Sequence, residues 1–234
     1  MSAGRTARER VRAELVREIT EIARRQLATE GAGGLSLRAV AREMGMVSSA
    51  IYRYFPSRDD LLTALIIDGY NAVGEAVENA DAGMRADDYA GRWLAVCRAV
   101  REWALEHPHE YALLYGSPVP GYKAPQDTVP AAMRDTVVLA RIITEAHAAG
   151  AVEPAGFSPA PPPSIAADLD RVRTAVLMDV PDDVIIRCLT AWSGLYGTVS
   201  FELFGQFNTV LEDDRAGYFD HGMTLLAGLV GLRP

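Results

Sequence analysis

Between Met46 and Leu62 the chain reads MVSSAIYRYFPSRDDLL. On a helix at about 100° per residue, Val47, Ile51 and Phe55 fall within one narrow arc, and Ser49 and Arg53 point the opposite way. Ala50 and Tyr52 flank that outward pair, and Ser48 and Tyr54 sit at the margins. The apolar arc is expected to face a core. The outward face then offers hydroxyls, a methyl, phenols and one guanidinium. Such groups hydrogen-bond to base edges and phosphates, and none is too bulky for a major groove. A merely solvated helix face would carry Glu and Lys instead.

The other chemistry-bearing residues point to fewer reactions. Glu106 and His109 form an E-x-x-H, but Pro108 interrupts the helix that would align them and no second such motif exists, so no metal is expected. There is no Gly-rich phosphate loop, no G-x-S-x-G and no nucleophile–base pair, so no enzyme and no cofactor is expected. Trp93, Trp103, Tyr111, Tyr115, Met133, Trp192, Tyr196 and Phe201 fall on central helices, where they either fill a core or line a pocket between helices. His147 lies in an apolar helix, as a core histidine or a pocket-facing one. Cys97 and Cys188 each sit in an apolar helical pattern, which reads as two buried, reduced thiols in a cytoplasmic protein.

The elements that must position these residues are helical throughout. Val11, Leu15, Ile19, Ile22, Ala23 and Leu27 recur at spacings of three and four, and GAGG at 31–34 stops that helix. Ser36 is expected to cap a short helix carrying Leu37, Val40, Ala41 and Met44. Gly45 breaks it, a third helix runs to Phe55 before Pro56, and Ser57–Asp60 opens a long fourth. Leu37, Ala41, Gly45 and Ile51 have the spacing of a helix-turn-helix, whose second helix enters a groove. Longer helices follow, interrupted by a proline-rich stretch at 153–164. The fold class is all-α, divided as a helix-turn-helix domain at 1–60 and a helical ligand-binding and dimerisation domain at 61–234.

Charge follows the same division. The 234 residues carry a formal net charge of −8, yet residues 1–60 hold 11 arginines against 8 carboxylates, a net of +3. A basic end on an acidic chain fits a small, local nucleic-acid contact rather than non-specific polyanion binding. No apolar run reaches the roughly 18 residues of a membrane span, and the N-terminus lacks a secretory apolar segment.

With these residues in view, ITEIARRQLATEGAGGLSLRAVAREMGMVSSAIYRYFPSRDDLLTALI resembles the DNA-binding domain of the TetR family of bacterial transcriptional regulators. The resemblance centres on IYRYF, a polar turn, a basic residue and DLL. AWSGLYGTVSFELFG is similar to the W-x-x-x-H-G signature of one C-terminal subclass, with Tyr196 in place of the histidine. The resemblance implies that Tyr52 and Tyr54 touch phosphates, and that Ser48, Ser49, Ala50 and Arg53 face bases or the adjoining backbone. It also implies phosphate contacts for Ser36, Arg38 and Arg58, and it favours a pocket lined by Trp93, Trp103, Tyr111, Tyr115, Met133, His147, Trp192 and Tyr196. Arg5, Arg8, Arg10 and Arg12 form a basic tail before the first helix.

One helix-turn-helix offers few contacts, so a homodimer on a palindromic operator in double-stranded DNA is expected. Ser193, Gly194, Gly197 and Ser200 allow close helix approach, and Leu225, Leu226, Leu229 and Val230 add apolar area to that interface. The leading reading is a cytoplasmic repressor released by a small, largely apolar effector, with no membrane partner. Two rivals stand beside it: a DNA-binding regulator without an effector, controlled by a protein or by cysteine oxidation, and an all-α enzyme.

Overall fold

A computed structural model describes residues 3–154, 156–157 and 159–233, with side chains from residue 7 onward. Among them the regular structure is helical: α1 (Ala3–Gly34), α2 (Leu37–Glu43), α3 (Ser48–Ile51), α4 (Arg58–Ala82), α5 (Tyr89–Glu106), α6 (Pro108–Tyr115), α7 (Val129–Ala132), α8 (Arg134–Ala148), α9 (Ala166–Ala175), α10 (Asp182–Leu203) and α11 (Arg215–Val230). The chain divides into two compact units. One takes the chain up to Tyr70 together with His107–Val129, and the other takes Asn71–Glu106 together with the chain from Pro130 on. The division therefore falls inside α4 rather than after Asp60, and α6 groups with the N-terminal helices.

In the first unit the periodic residues of α1 meet those of α2, α3 and the start of α4. Ile19, Ala23, Val40, Ala41, Ile51, Leu61 and Leu62 lose all measurable exposure there. Two glycines set the chain reversals. Gly31 (φ 66°, ψ 175°) breaks the helical path of α1 before its last turn. Gly45 (φ 67°) follows α2, where its N–H bonds the Arg42 carbonyl and the Met46 N–H bonds the Ala41 carbonyl. These two bonds form a Schellman stop, which needs the left-handed conformation that glycine tolerates.

In the second unit α5 packs against α8, α10 and α11, and α9 packs against α10. Trp93 of α5 is 1% exposed and donates its indole N–H to the Met223 carbonyl of α11 at 3.1 Å. Val184, Ile185, Ala191, Leu195 and Val199 form the buried stripe of α10. That helix is long and apolar enough to cross a membrane by length and mean composition, although Asp182, Asp183, Arg187 and Glu202 interrupt its apolar run. Its apolar content instead packs against α5, α9 and α11, and its Glu202 pairs with Arg101 of α5 at 2.6 and 2.7 Å.

Candidate nucleic-acid interface and ligand cavity

The first unit presents the surface built by α2 and α3. Ser36 caps α2 as expected, accepting the Ala39 N–H in its side chain. Its own N–H bonds the Gln26 side chain at 3.3 Å, which ties the cap to α1. Arg38 is exposed in the first turn. In and after α3, Ser48, Ser49, Tyr52 and Arg53 are exposed, while Ala50 and Tyr54 are half-buried. The α3 segment is a single helical turn that continues to Phe55 as turns, with Arg53, Tyr54 and Phe55 N–H groups bonding the Ala50 and Ile51 carbonyls.

Val47 departs from the sequence reading. It was expected in the core arc with Ile51 and Phe55, but it is 71% exposed while those two are 0% and 6%. The physical reason is local. Val47 is the residue before α3, with an extended backbone (φ −66°, ψ 137°), so the helical wheel does not govern where its side chain points.

Two arginines are tied into the first unit itself. Arg12 belongs to α1, not to a tail before it. It donates from both terminal nitrogens to the Arg53 carbonyl at 3.2 Å, and its guanidinium lies 5.2 Å from the centre of the Tyr54 ring. Arg12 thus fastens the end of the α3 segment to α1, a role sequence reasoning missed because the partner lies 41 residues away. Arg8 and Arg10 are exposed on α1, and the Arg5 side chain lies outside the described residues. Arg58 donates to the carbonyls of Ala32, Gly33 and Leu35. It satisfies backbone acceptors where α1 ends, a structural task beside the phosphate contact that resemblance implied.

The second unit contains a cavity of 340 Å³. Met133 just before α8 and Thr136, Ala140 and Ile143 along it form one wall, Cys188 and Trp192 of α10 another, Trp93 a third, and Val172, Val176 and Met178 in and after α9 cover it. No charged side chain is among its lining residues. Three expected ligand residues, Trp93, Met133 and Trp192, are in this lining. Trp103, His147 and Tyr196 belong to the same unit outside it, and Tyr111 and Tyr115 fall in the other unit, their rings 4.9 Å apart. Counting aromatics by helix could not tell which face of each helix bordered the void.

Beside the cavity, Tyr196 donates its hydroxyl to the Asp135 carboxyl, which also accepts from Thr136 at 3.3 Å. Asp135 is buried, and burial pushes its carboxyl above the ordinary value, with the Tyr196 and Thr136 bonds offsetting only part. On the far face of α8, Arg134 grips Glu78 of α4 at 2.8 and 2.6 Å and Asn71 at 2.9 Å. Arg141 reaches Asp81 at 2.6 Å, and Arg92 of α5 holds the same carboxylate at 2.7 and 3.1 Å. Burial alone would raise Asp81, but hydrogen bonds from Arg92 and Arg141 outweigh it and hold the group below its ordinary value. Both thiols are free. Cys97 is buried as expected and is raised well above the usual range, whereas Cys188 is half-buried at the cavity wall and desolvation there pushes it up to about 12.

On α10 and α11 the small residues divide by face. A side chain at Gly194 would meet Leu226 at 2.9 Å, so this glycine serves packing within the chain, whereas Gly197 has open space. Leu225 and Leu229 are exposed, but Val230 is fully buried in its own core and is withdrawn from the expected interface. Phe201, Phe204 and Tyr218, which that expectation omitted, are 53%, 47% and 45% exposed.

Residues 19–65 match the family described as bacterial regulatory proteins, tetR family, and residues 93–226 match the tetracyclin repressor-like C-terminal domain. The HTH-type transcriptional regulators Rv1816 of Mycobacterium tuberculosis and Mb1846 of Mycobacterium bovis are each 40% identical to the chain over 227 residues, 97% of this chain and 94% of theirs. The crystal structure of the regulatory protein SCO4313 is 37% identical with a TM-score of 0.76, covering 94% of this chain and 98% of that one. A tetR-family regulatory protein from Rhodococcus RHA1, 18% identical with a TM-score of 0.61 over 94% of this chain and 98% of its own, shares the fold. With one family match spanning more than half of its length and relatives alike from end to end, the chain belongs to the TetR family of helix-turn-helix, DNA-binding transcriptional regulators.

Proposed function

We propose that the chain is a homodimeric, cytoplasmic repressor that holds a palindromic operator through α2 and α3 and is released by a small, uncharged, apolar effector. The observation that carries the effector reading is the 340 Å³ cavity whose lining residues include no charged side chain. An ionised ligand there would lose its hydration without a counter-charge. The redox rival is disfavoured, because the thiolate is the reactive form and burial holds both cysteines protonated. Dimer formation is supported by the exposed apolar residues Phe201 on α10, Phe204 just after it, and Tyr218, Leu225 and Leu229 on α11. Arg53, Ser48, Ser49 and Ala50 read bases, and Tyr52, Tyr54, Ser36 and Arg38 hold phosphates.

The test begins with selection of bound sequences from a random DNA pool by the full-length protein. Arg53 is the exposed guanidinium beside α3, and arginine recognises guanine through two parallel hydrogen bonds. Arg53→Ala is expected to cost about 1–3 kcal/mol at the selected site and to relax preference at one base pair per half-site. A variant with unchanged affinity and unchanged preference overturns the docking. For the effector, an uncharged apolar compound that raises the melting temperature must bind the protein–operator complex more weakly than the free protein, by the factor with which it weakens DNA binding. Ala140→Phe, which fills the cavity, is expected to keep operator affinity and lose that response.

A further inference from the structure

We infer that Val47 reads the C5-methyl group of a thymine in each half-site of the operator. This rests on the reading of α3 as the groove-entering segment. Exposed apolar residues are common on protein surfaces, so the 71% exposure of Val47 would carry nothing by itself. Its place and its neighbours carry the inference. Val47 is not a core residue displaced by chance: Ile51 and Phe55 complete the packing of the α3 segment at 0% and 6% exposure without it. Its isopropyl group is held outward by an extended backbone that is itself fixed, since the Val47 carbonyl accepts the Ala50 N–H at 2.8 Å.

The residues that follow, Ser48 and Ser49, are exposed hydroxyls, and Arg53 is an exposed guanidinium. Val47 is therefore an apolar group at the leading edge of a hydrogen-bonding surface. In a helix-turn-helix the leading residues of the second helix meet base edges. The major-groove edges of the four bases present donors and acceptors throughout, with one apolar group among them, the thymine methyl. A branched aliphatic side chain in that position matches this group and gains nothing from the others. Arg53 then reports a guanine and Val47 a thymine, so one short segment reads two different base chemistries.

The experiment uses the full-length protein and the operator selected as above. Each thymine of the site is replaced in turn by 2′-deoxyuridine, which removes the methyl and leaves every hydrogen-bonding group. Burial of one methyl is worth about fourfold in affinity, so uridine in both half-sites is expected to weaken wild-type binding about 15-fold at one symmetric position. Val47→Ala is expected to bind the thymine operator about as weakly as the wild type binds the uridine operator, and to lose its sensitivity to uridine at that position alone. Exposure of Val47 makes the variant's fold secure, and an unchanged melting curve verifies it. The inference is overturned if Val47→Ala keeps every wild-type uridine penalty, or if the wild type has none. Arg53→Ala, run on the same DNA, separates the two levels: loss of guanine preference with no Val47 coupling sinks this inference alone, whereas failure to select any sequence sinks the docking and this inference together.

Discussion

Replacing Arg12 tests whether recognition depends on how α3 is held rather than only on what it presents. The guanidinium bonds the Arg53 carbonyl from two nitrogens at 3.2 Å and covers the Tyr54 ring at 5.2 Å. The two bonds share one acceptor at an exposed site, so together they are worth about 0.5–1 kcal/mol net. An exposed cation–π contact adds about 0.5–1 kcal/mol. Losing both loosens the end of the α3 segment by about 1–2 kcal/mol, an upper limit of roughly 5–30-fold on operator affinity. Fluorescence anisotropy with labelled operator across a salt series reads this directly. A phosphate contact would lower the salt slope by about one unit, whereas a positioning contact leaves it unchanged. Arg12→Lys retains the charge but not the fork, so it is expected to behave like Arg12→Ala. Wild-type affinity in the lysine variant, together with a slope about one unit lower in the alanine variant, would refute the positioning argument.

Asp135 gives a pH prediction with a definite sign. Its folded pKa lies above the ordinary 3.8, so the native state binds the proton more tightly than the unfolded chain does. The associated stability is present below that value and is lost as pH rises through the folded one. Urea titrations across the acid-to-neutral range are expected to reveal a decline in the wild type relative to Asp135→Asn, and parallel curves would contradict it. The opposite contribution of Asp81, whose folded pKa is depressed, is common to both proteins and cancels in the difference. For assembly, Phe201→Asp and Leu225→Asp each place a charge twice in a two-fold interface, and sedimentation at micromolar concentration is expected to move from about twice 25.3 kDa toward the chain mass. A variant that still sediments as a dimer would move the interface away from this face.

The helix-turn-helix was legible because its signals are local. Ser36, Gly45 and Pro56 punctuate the backbone within a few residues of the turns they cause, and the Ile51 and Phe55 positions follow from periodicity. Val47 was misplaced because periodicity was extended one residue beyond the helix, to a position whose ψ of 137° takes it off the wheel. The structural bonds of Arg12 and Arg58 were illegible for a different reason. Sequence does not show which acceptors a guanidinium meets, and theirs are backbone carbonyls 41 and 23–26 residues away. The cavity was only partly legible. Trp93, Met133 and Trp192 were in hand, but Thr136, Ala140, Val172 and Cys188 are small or ordinary residues whose importance lies in the space they leave.

What the cavity can influence follows from α8. At about 100° per residue, Thr136, Ala140 and Ile143 occupy one side of that helix, and Arg134, Arg141 and Glu145 occupy the other. The first set borders the cavity. The second set ties the helix to Glu78 and Asp81 of α4 and, through Glu145, to Arg92 of α5 at 2.6 Å. Arginine–carboxylate forks tolerate little rotation before one of their two bonds is lost. A ligand that displaces α8 by filling the cavity therefore meets a choice between breaking these bonds and carrying α4 with it. The Arg92–Asp81 pair is buried, and separating it would leave a charge without a partner in the protein interior at about 3–5 kcal/mol. That pair joins α4 to α5, and its cost exceeds the roughly 1–3 kcal/mol typical of coupling between two binding sites, so the α4–α5 contact at Asp81 resists displacement and the more exposed Arg134–Glu78 and Arg141–Asp81 pairs of α8 are the ones that yield.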